Sequence, residues 1–333
     1  MPPAVSVIIP THNRWRSLRR CLDSLAAQAD SPPFEVVVVD DGSSDRTAAV
    51  LNDYNAPYPL LTVATGGEGP AAARNLGADR ANSDYLLFID DDVVTAPGLL
   101  AAHLAAHKQE RDAVIVGPMR TPSSHRLPSW VRWEQEILDK KYRALADGRW
   151  TMSYRQFYTA NASLARRHFQ ASEGFDPTYR RAEDVELAYR LSRRGLRFVF
   201  RPEAVVTHYA GRSLRGWWAI PYQYGLYDVS MWREKGRRHS LEIVGREFSG
   251  RHSLVRSLVR LCDGGSTRSG ALAAASVGVA LLAAGLGAFR ISRACYSLSF
   301  NLRYYQGIRH ELGSTTAFRA ILGGKTAQSP HAD

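Results

Sequence analysis

A chain of 333 residues with 45% apolar content suffices for one large domain or for a catalytic domain with an appendage, and is too apolar for a disordered protein. Cys21, Cys262 and Cys295 are odd in number and not closely paired, which argues against a disulfide framework and a cysteine-held zinc and points to a reducing compartment. The formal charge of +11 is uneven: residues 1–228 carry 28 basic side chains against 26 acidic, residues 229–333 carry 15 against 6. Such a basic segment suits nucleic acid, an anionic membrane leaflet or a solvated helical face.

Residues 1–4 bring no basic side chain before the strand-sized apolar run Val5 to Ile9, so no secretory leader is expected and the bulk of the protein is expected in the cytosol. A helix follows from about Trp15, with Leu18, Leu22 and Leu25 on one face. Phe34 to Val39 reads as a second strand, and Ser43, Ser44 and Asp45 offer N-caps for a helix through Ala48 to Leu51. Leu60 to Ala64 is a third strand; Gly66-Gly67-Glu68-Gly69-Pro70 then breaks the chain before an alanine-rich helix carrying Arg74 and Asn75. Tyr85 to Ile89 is the fourth strand, a helix follows Pro97, and Val114 to Gly117 is a fifth. Arg120 to Trp150 is aromatic and proline-rich at its start and is expected to be irregular, a flexible wall over the crevice. A helix from about Glu183 places Val185, Leu187, Ala188 and Leu191 inside, with Gly195 at C′. Phe198 to Phe200 and Val205 to His208 return as short strands.

This alternation predicts an α/β catalytic domain over residues 1–212, with a mostly parallel sheet flanked by helices. Residues 213–333 are expected to be helical, aromatic and basic. Within them Ala271 to Phe289 holds no charge and is bracketed by Arg268 and Arg290. Its length nears the roughly 20 residues of a bilayer span, yet its alanine and glycine content equally suits a buried helical hairpin.

Two apolar runs end in aspartates, the second strand in Asp40-Asp41 and the fourth in Asp90-Asp91-Asp92. In open α/β sheets ligands bind outside the carboxyl ends of the strands, so both clusters should face one crevice. The Asp90-Asp91-Asp92 cluster offers hard oxygen ligands to Mg²⁺ or Mn²⁺, or else simply caps a loop. Asp41 is suited to accept from the imide N–H of uracil or thymine. A carboxylate at Asp184 could serve as a base, but equally complements a helix N-terminus. Trp130, Trp133 and Trp150 are candidates for sugar stacking or for ordinary packing.

In order, the chain holds Val5 to Arg14 with Pro10-Thr11-His12-Asn13-Arg14, Val39 to Asp45, Gly69 to Asn75, Asp90-Asp91-Asp92, Gly174-Phe175-Asp176, Glu183 to Leu187, and His208. Over about residues 4–210 this set resembles the family-2 glycosyltransferases of the GT-A, Rossmann-like fold. The resemblance implies an inverting transfer of sugar from a nucleoside diphosphate, UDP or dTDP being favoured, to a hydroxyl of a lipid-linked or cell-envelope saccharide, at the cytoplasmic face of the membrane. It makes Asp92 the firmest metal ligand with Asp90 and His208 in support, and sets Asp91 near the ribose or metal shell. Asp41, Pro10, Thr11, Asn13 and Arg74 would form the nucleotide-sugar site. Asp184 takes the position of the base, and Glu183 either contacts the acceptor or caps the helix. The Gln-x-x-Arg-Trp element of processive synthases is missing after Asp184, with Arg215-Gly216-Trp217-Trp218 only a partial echo, which favours addition of single sugars.

Other readings stay open at this level. Phe88 to Val94 also looks like the first motif of haloacid-dehalogenase-like phosphatases, with Asp90 as nucleophile and Asp92 as acid, but this leaves Asp40-Asp41 and Glu183-Asp184 unexplained. Pro10-Thr11-His12-Asn13 stands where a nucleotidyltransferase or dinucleotide-binding protein needs a glycine-rich loop. A non-catalytic scaffold whose basic tail binds nucleic acid is disfavoured, since no nucleic-acid module is visible and the basic residues accompany an apolar stretch that points to lipid.

Overall fold

The apolar runs become strands β1 (Val5–Thr11), β2 (Phe34–Asp40), β3 (Leu60–Ala64), β4 (Tyr85–Ile89), β5 (Val93–Thr95), β6 (Ala113–Val116), β7 (Met119–Arg120), β8 (Asn161–Ala165), β9 (Arg197–Phe200) and β10 (Val206–His208). The computed structural model describes residues 2–28, 31–122, 125–179, 181–209, 211–234 and 238–324. The chain divides into two units, one made of residues 1–126 and 135–210, the other of 127–134 and 211–333.

In the first unit the main sheet has the order β3-β2-β1-β4-β8-β6-β9. It is parallel except at β8, which runs antiparallel to both β4 and β6. A second small sheet, β5-β10-β7, carries the segment after β4. The parallel strands are apolar on both sides because helices cover both faces. On one face α3 (Pro70–Arg80) and α7 (Glu183–Arg193) pack with Ile8, Val37 and Phe88 through Ala71, Leu187 and Leu191. On the other, α1 (Trp15–Ala26) and α4 (Leu99–Gln109) pack with Val7, Ile9 and Val38 through Leu18, Leu22 and Leu100. This unit also holds the short helices α2 (Thr47–Asp53) and α6 (Arg166–Ala171), the part of α5 (Ser129–Ala146) from residue 135 onward, and a 3₁₀ turn at Tyr154–Gln156.

The strand β8 is absent from the sequence reading because Asn161-Ala162-Ser163 lacks the β-branched run expected of a central strand. Its polar side chains are matched across the layer. His103 of α4 bonds Ser163 Oγ through Nδ1 (2.8 Å) and Asn161 Oδ1 through Nε2 (2.9 Å), and His107 Nε2 bonds Ser163 Oγ (2.8 Å). These bonds satisfy Asn161 Oδ1 and Ser163 Oγ and so offset the cost of placing them in a core, while His107 Nδ1 is buried without a partner.

Arg120 to Trp150, expected to be irregular, instead contains an 18-residue helix, Ser129–Ala146. Pro122 and Pro128 precede its first residue and so break nothing. Within the first unit Tyr142 and Leu145, three apart, are buried, and Tyr142 stacks on Phe200 with centroids 5.5 Å apart.

The second unit consists of helices Leu214–Glu234, Arg238–Ser249, Ser253–Cys262, Ser266–Gly285, Phe289–Leu312 and Thr315–Leu322, together with residues 127–134. Leu214–Glu234 and Phe289–Leu312 approach closely at paired glycines. A Cβ on Gly225 would lie 2.1 Å from Tyr304 O, and one on Gly307 2.1 Å from Tyr222 O. The uncharged segment forms one arm of a helical hairpin: Ser266–Gly285 turns at Gly287 (φ +74°) into Phe289–Leu312, and Ser276 Oγ donates to Cys295 O (2.8 Å). Thr267–Gly285 is long and apolar enough to cross a membrane, and a third of it is buried.

Candidate active site

Register sets β1, β2 and β4 side by side, with Thr11 opposite Asp40 and Ile8 opposite Phe88, so the segments leaving these strands gather at one end of the sheet. The first such segment is held by Asn13, which adopts φ +55°, a conformation that asparagine tolerates. Its Oδ1 accepts from Ser44 N (2.8 Å) and Asp45 N (3.1 Å), while its own N–H donates to Ser43 Oγ (2.8 Å). Asn13 therefore ties the turn after β1 to the turn after β2. Pro10 lies within β1 opposite Val39 and is partly buried.

Asp41 is buried and clamps the loop before α3. Its Oδ1 accepts from Thr65 Oγ1 (2.6 Å) and Glu68 N (2.8 Å), and its Oδ2 accepts from Gly69 N (2.8 Å). A carboxylate has about four lone-pair sites, so roughly one remains for a ligand donor.

Of the aspartates after β4, Asp91 and Asp92 share Arg14, whereas Asp90 is held by Arg74. Asp91, buried, accepts from Thr11 Oγ1 (2.7 Å) and from Arg14 Nη1 (3.2 Å). Arg14 Nη1 also bonds Asp92 Oδ2 (2.9 Å). Asp92 Oδ1 is buried without a hydrogen-bond partner, and His208 Nε2 lies 3.5 Å from it. Asp90 accepts from Arg74 Nη2 (2.9 Å), and the other terminal nitrogen of Arg74 donates to Glu183 Oε1 (3.0 Å). This buried guanidinium thus joins the aspartate cluster to the start of α7, where Asp184 follows.

The start of α7 is fixed from behind. Asn75 makes two bonds to the Phe175 backbone, accepting from its N–H and donating to its C=O, both 2.8 Å. The Phe175 ring lies 5.7 Å from the Arg74 guanidinium carbon. Arg190 pairs with the buried Glu186 and donates to the carbonyls of Ser172 and Gly174. Ala182, just before Glu183, has φ +60°, a strained backbone for an alanine of about 1–3 kcal/mol.

The electrostatics follow from this crowding. Desolvation, reinforced by the like charges of Glu183 and Asp90 and only partly offset by Val185 N–H and Arg74, pushes the Asp184 carboxyl up to about 7. Desolvation also lifts Asp91 to about 6, against Thr11 and Arg14. Asp92 behaves oppositely: burial raises it, but His208 and Arg14 outweigh that effect and hold it below the usual carboxylate range.

Among the described residues, no three His, Cys, Asp or Glu side chains are gathered to hold a metal unaided. The unpartnered Asp92 oxygen beside His208 nevertheless fits a divalent cation of the Mg²⁺ or Mn²⁺ type, which is commonly held by one or two protein groups together with substrate phosphates. Asp90, expected as a supporting ligand, is engaged by Arg74. Arg14 is not among the candidates read from the sequence, where it only closes the motif that begins at Val5. Its place in Pro10-Thr11-His12-Asn13-Arg14 was the available signal. Trp133 is buried, and Trp150 is 53% exposed.

A mixed sheet of this order, with an aspartate cluster after β4 and a carboxylate pair opening α7, is the architecture of the GT-A fold. Residues 6–169 match the glycosyl transferase family 2 profile and belong to that family, which sets aside the phosphatase reading. The chain is 34% identical over 221 residues to validoxylamine A glucosyltransferase of Streptomyces hygroscopicus subsp. limoneus, covering 58% of this chain and 49% of that protein. It is 30% identical over 234 residues to the pre-mycofactocin glycosyltransferase of Mycobacterium tuberculosis, covering 66% and 46%. The chain thus spans about half the length of these relatives. In fold it is similar to TarS of S. aureus in complex with UDP-GlcNAc (TM-score 0.54, 19% identity, 93% of this chain and 92% of that one). It is also similar to the mannosyltransferase PcManGT of Pyrobaculum calidifontis in complex with GDP-Man and Mn²⁺ (0.57, 19%, 92% and 87%).

Proposed function

We propose that this protein transfers one sugar at a time, with inversion, from a nucleoside-diphosphate sugar to a hydroxyl of a lipid-linked or cell-envelope saccharide at the cytoplasmic membrane face. The carrying observation is the bridge made by Arg74, which binds Asp90 and Glu183 and so brings the nucleotide end of the site and Asp184 onto one scaffold.

In this reading Asp184 accepts the proton of the attacking hydroxyl. A carboxyl poised near 7 is matched to that task at neutral pH. Glu183, held by Arg74, orients the acceptor side. The remaining lone pair of Asp41 accepts from a pyrimidine imide, between Pro10, Thr11 and the turn fixed by Asn13, and UDP or dTDP is the favoured carrier. Asp92 and His208 would hold Mg²⁺ or Mn²⁺, which when bound neutralises charge on the departing diphosphate. Asp91 keeps Thr11 and Arg14 in place around that end of the site.

A thermal-shift screen of nucleoside diphosphates with and without Mn²⁺ tests this, since a ligand that binds only the folded state raises its stability. A shift with UDP or dTDP that requires Mn²⁺ is the expected result. No response to any nucleoside diphosphate refutes the proposal.

A further inference from the structure

A helix on the surface of a water-soluble domain is expected to turn polar residues outward. Ser266–Gly285 does the reverse along its second half. Ala273, Ala280 and Ala283 face inward, whereas Ala274, Ala275, Gly278, Val279, Leu282 and Leu286 line the outer side. Val279 is 48% exposed, Leu282 71% and Leu286 85%. The face continues around the hairpin tip, where Phe289 and Ile291 are 48% and 54% exposed. No charged side chain occurs between Arg268 and Arg290, and both of these arginines are exposed, one at each end of the face.

We infer that the outer face and tip of this hairpin form the protein's membrane-docking surface, with an anionic bilayer as its partner. The inference deepens the membrane-face location proposed above and rests on it. Charge complementarity argues for this partner. An apolar strip ending in arginines at both extremities, in a segment with 15 basic and 6 acidic residues, matches acyl chains below anionic headgroups. The apolar side chains enter the boundary between headgroups and acyl chains, while Arg268 and Arg290 stay at phosphate level. The inward side of the helix remains packed on Phe289–Leu312, so the hairpin lies on the bilayer and does not cross it.

Co-sedimentation of the full chain with phosphatidylglycerol–phosphatidylcholine vesicles, and with phosphatidylcholine alone, is the test. The comparison protein carries Leu282→Glu, Leu286→Glu and Phe289→Glu, all at exposed positions. The expected result is binding to the anionic vesicles, weaker binding to the neutral ones, and a partition at least about tenfold lower for the triple variant. Arg290→Glu should weaken binding to anionic vesicles only. Equal binding by the triple variant and the wild type overturns the assignment of this surface. Absence of vesicle binding by the wild type overturns it together with the membrane-face location. A wild-type dimer in light scattering that Leu286→Glu dissociates also overturns it, in favour of a second copy as the partner. The UDP and Mn²⁺ thermal shift, measured on the same proteins, separates these outcomes from failure of the catalytic reading, because the tip residues take no part in the nucleotide site.

Discussion

Asp184 sits where burial and two like charges oppose its ionisation, and the same crowding that would suit it to the proposed role of base at neutral pH costs stability. Its carboxyl titrates near 7 in the folded chain and near 3.9 when unfolded, so the folded state holds the extra proton between those values. Stability from this group is complete below about pH 4 and is lost as pH rises through 7. Asp184→Asn should therefore lower transfer by about 10²- to 10⁴-fold while raising the melting temperature at pH 8 and leaving it unchanged at pH 4. Wild-type transfer should fall as pH drops below about 7, which a pH–rate profile reads directly. Arg14 pairs with Asp92 Oδ2 and so offsets the carboxylate charge that would attract the proposed cation to Oδ1. In Arg14→Ala the Mn²⁺ affinity, read from the thermal shift of the nucleotide-free protein, should rise about fivefold, the equivalent of ~1 kcal/mol for a half-exposed ion pair. Asp41, Asp92 and Asp184 were legible as candidates because carboxylates follow apolar runs or open a helix. Arg14 was not, because nothing in a lone arginine says which carboxylate it will reach.

At the scale of elements, the strands most easily read were those whose side chains are apolar on both faces, such as β2 and β4, since burial on both sides leaves a continuous Val, Ile, Leu and Phe signature. The strand β8 escaped because its pairing is decided by histidines some 60 residues away in sequence, which no local pattern displays. The helix Ser129–Ala146 escaped because aromatic and charged residues obscure its periodicity and the prolines ahead of it suggested an irregular segment. The loop at residues 172–176 illustrates how elements are joined by single side chains. Asn75→Ala removes both bonds to the Phe175 backbone, leaving a donor and an acceptor unmet. This should cost about 2 kcal/mol, visible as a lower melting temperature and faster amide exchange at residues 174–176.

The pH response of the molecule combines opposite tendencies. Burial pushes His103 down to about 4 and His107 to about 3, so these side chains stay neutral in the fold and take up protons on unfolding. Each adds stability that is complete above about 6.5 and fades as pH falls toward its folded value, the reverse of Asp184. The two histidines oppose the two raised carboxylates, Asp184 and Asp91, so the expected stability profile between about pH 4 and 6 is nearly flat. His103→Gln with His107→Gln should tilt it toward the acid side, and an unchanged slope by calorimetry would contradict the assignment. The net charge of the C-terminal third was visible in composition alone. The outward-facing leucines were not, because hydropathy averages over a helix and is blind to which side is covered.

Because residues 127–134 are assigned to the helical unit although they lie before the last strands of the sheet unit, the chain crosses between the two more than once. Trp133 meets Trp217 at 5.7 Å and Phe300 at 5.6 Å, and Ser129 Oγ bonds Tyr296 Oη (2.7 Å). A stop codon after residue 212 would strip these partners away and leave two tryptophans bare on the shortened product. Such a fragment should precipitate on expression, so a chimera that joins a different tail to residues 1–212 must take its 127–134 segment from the same source as that tail.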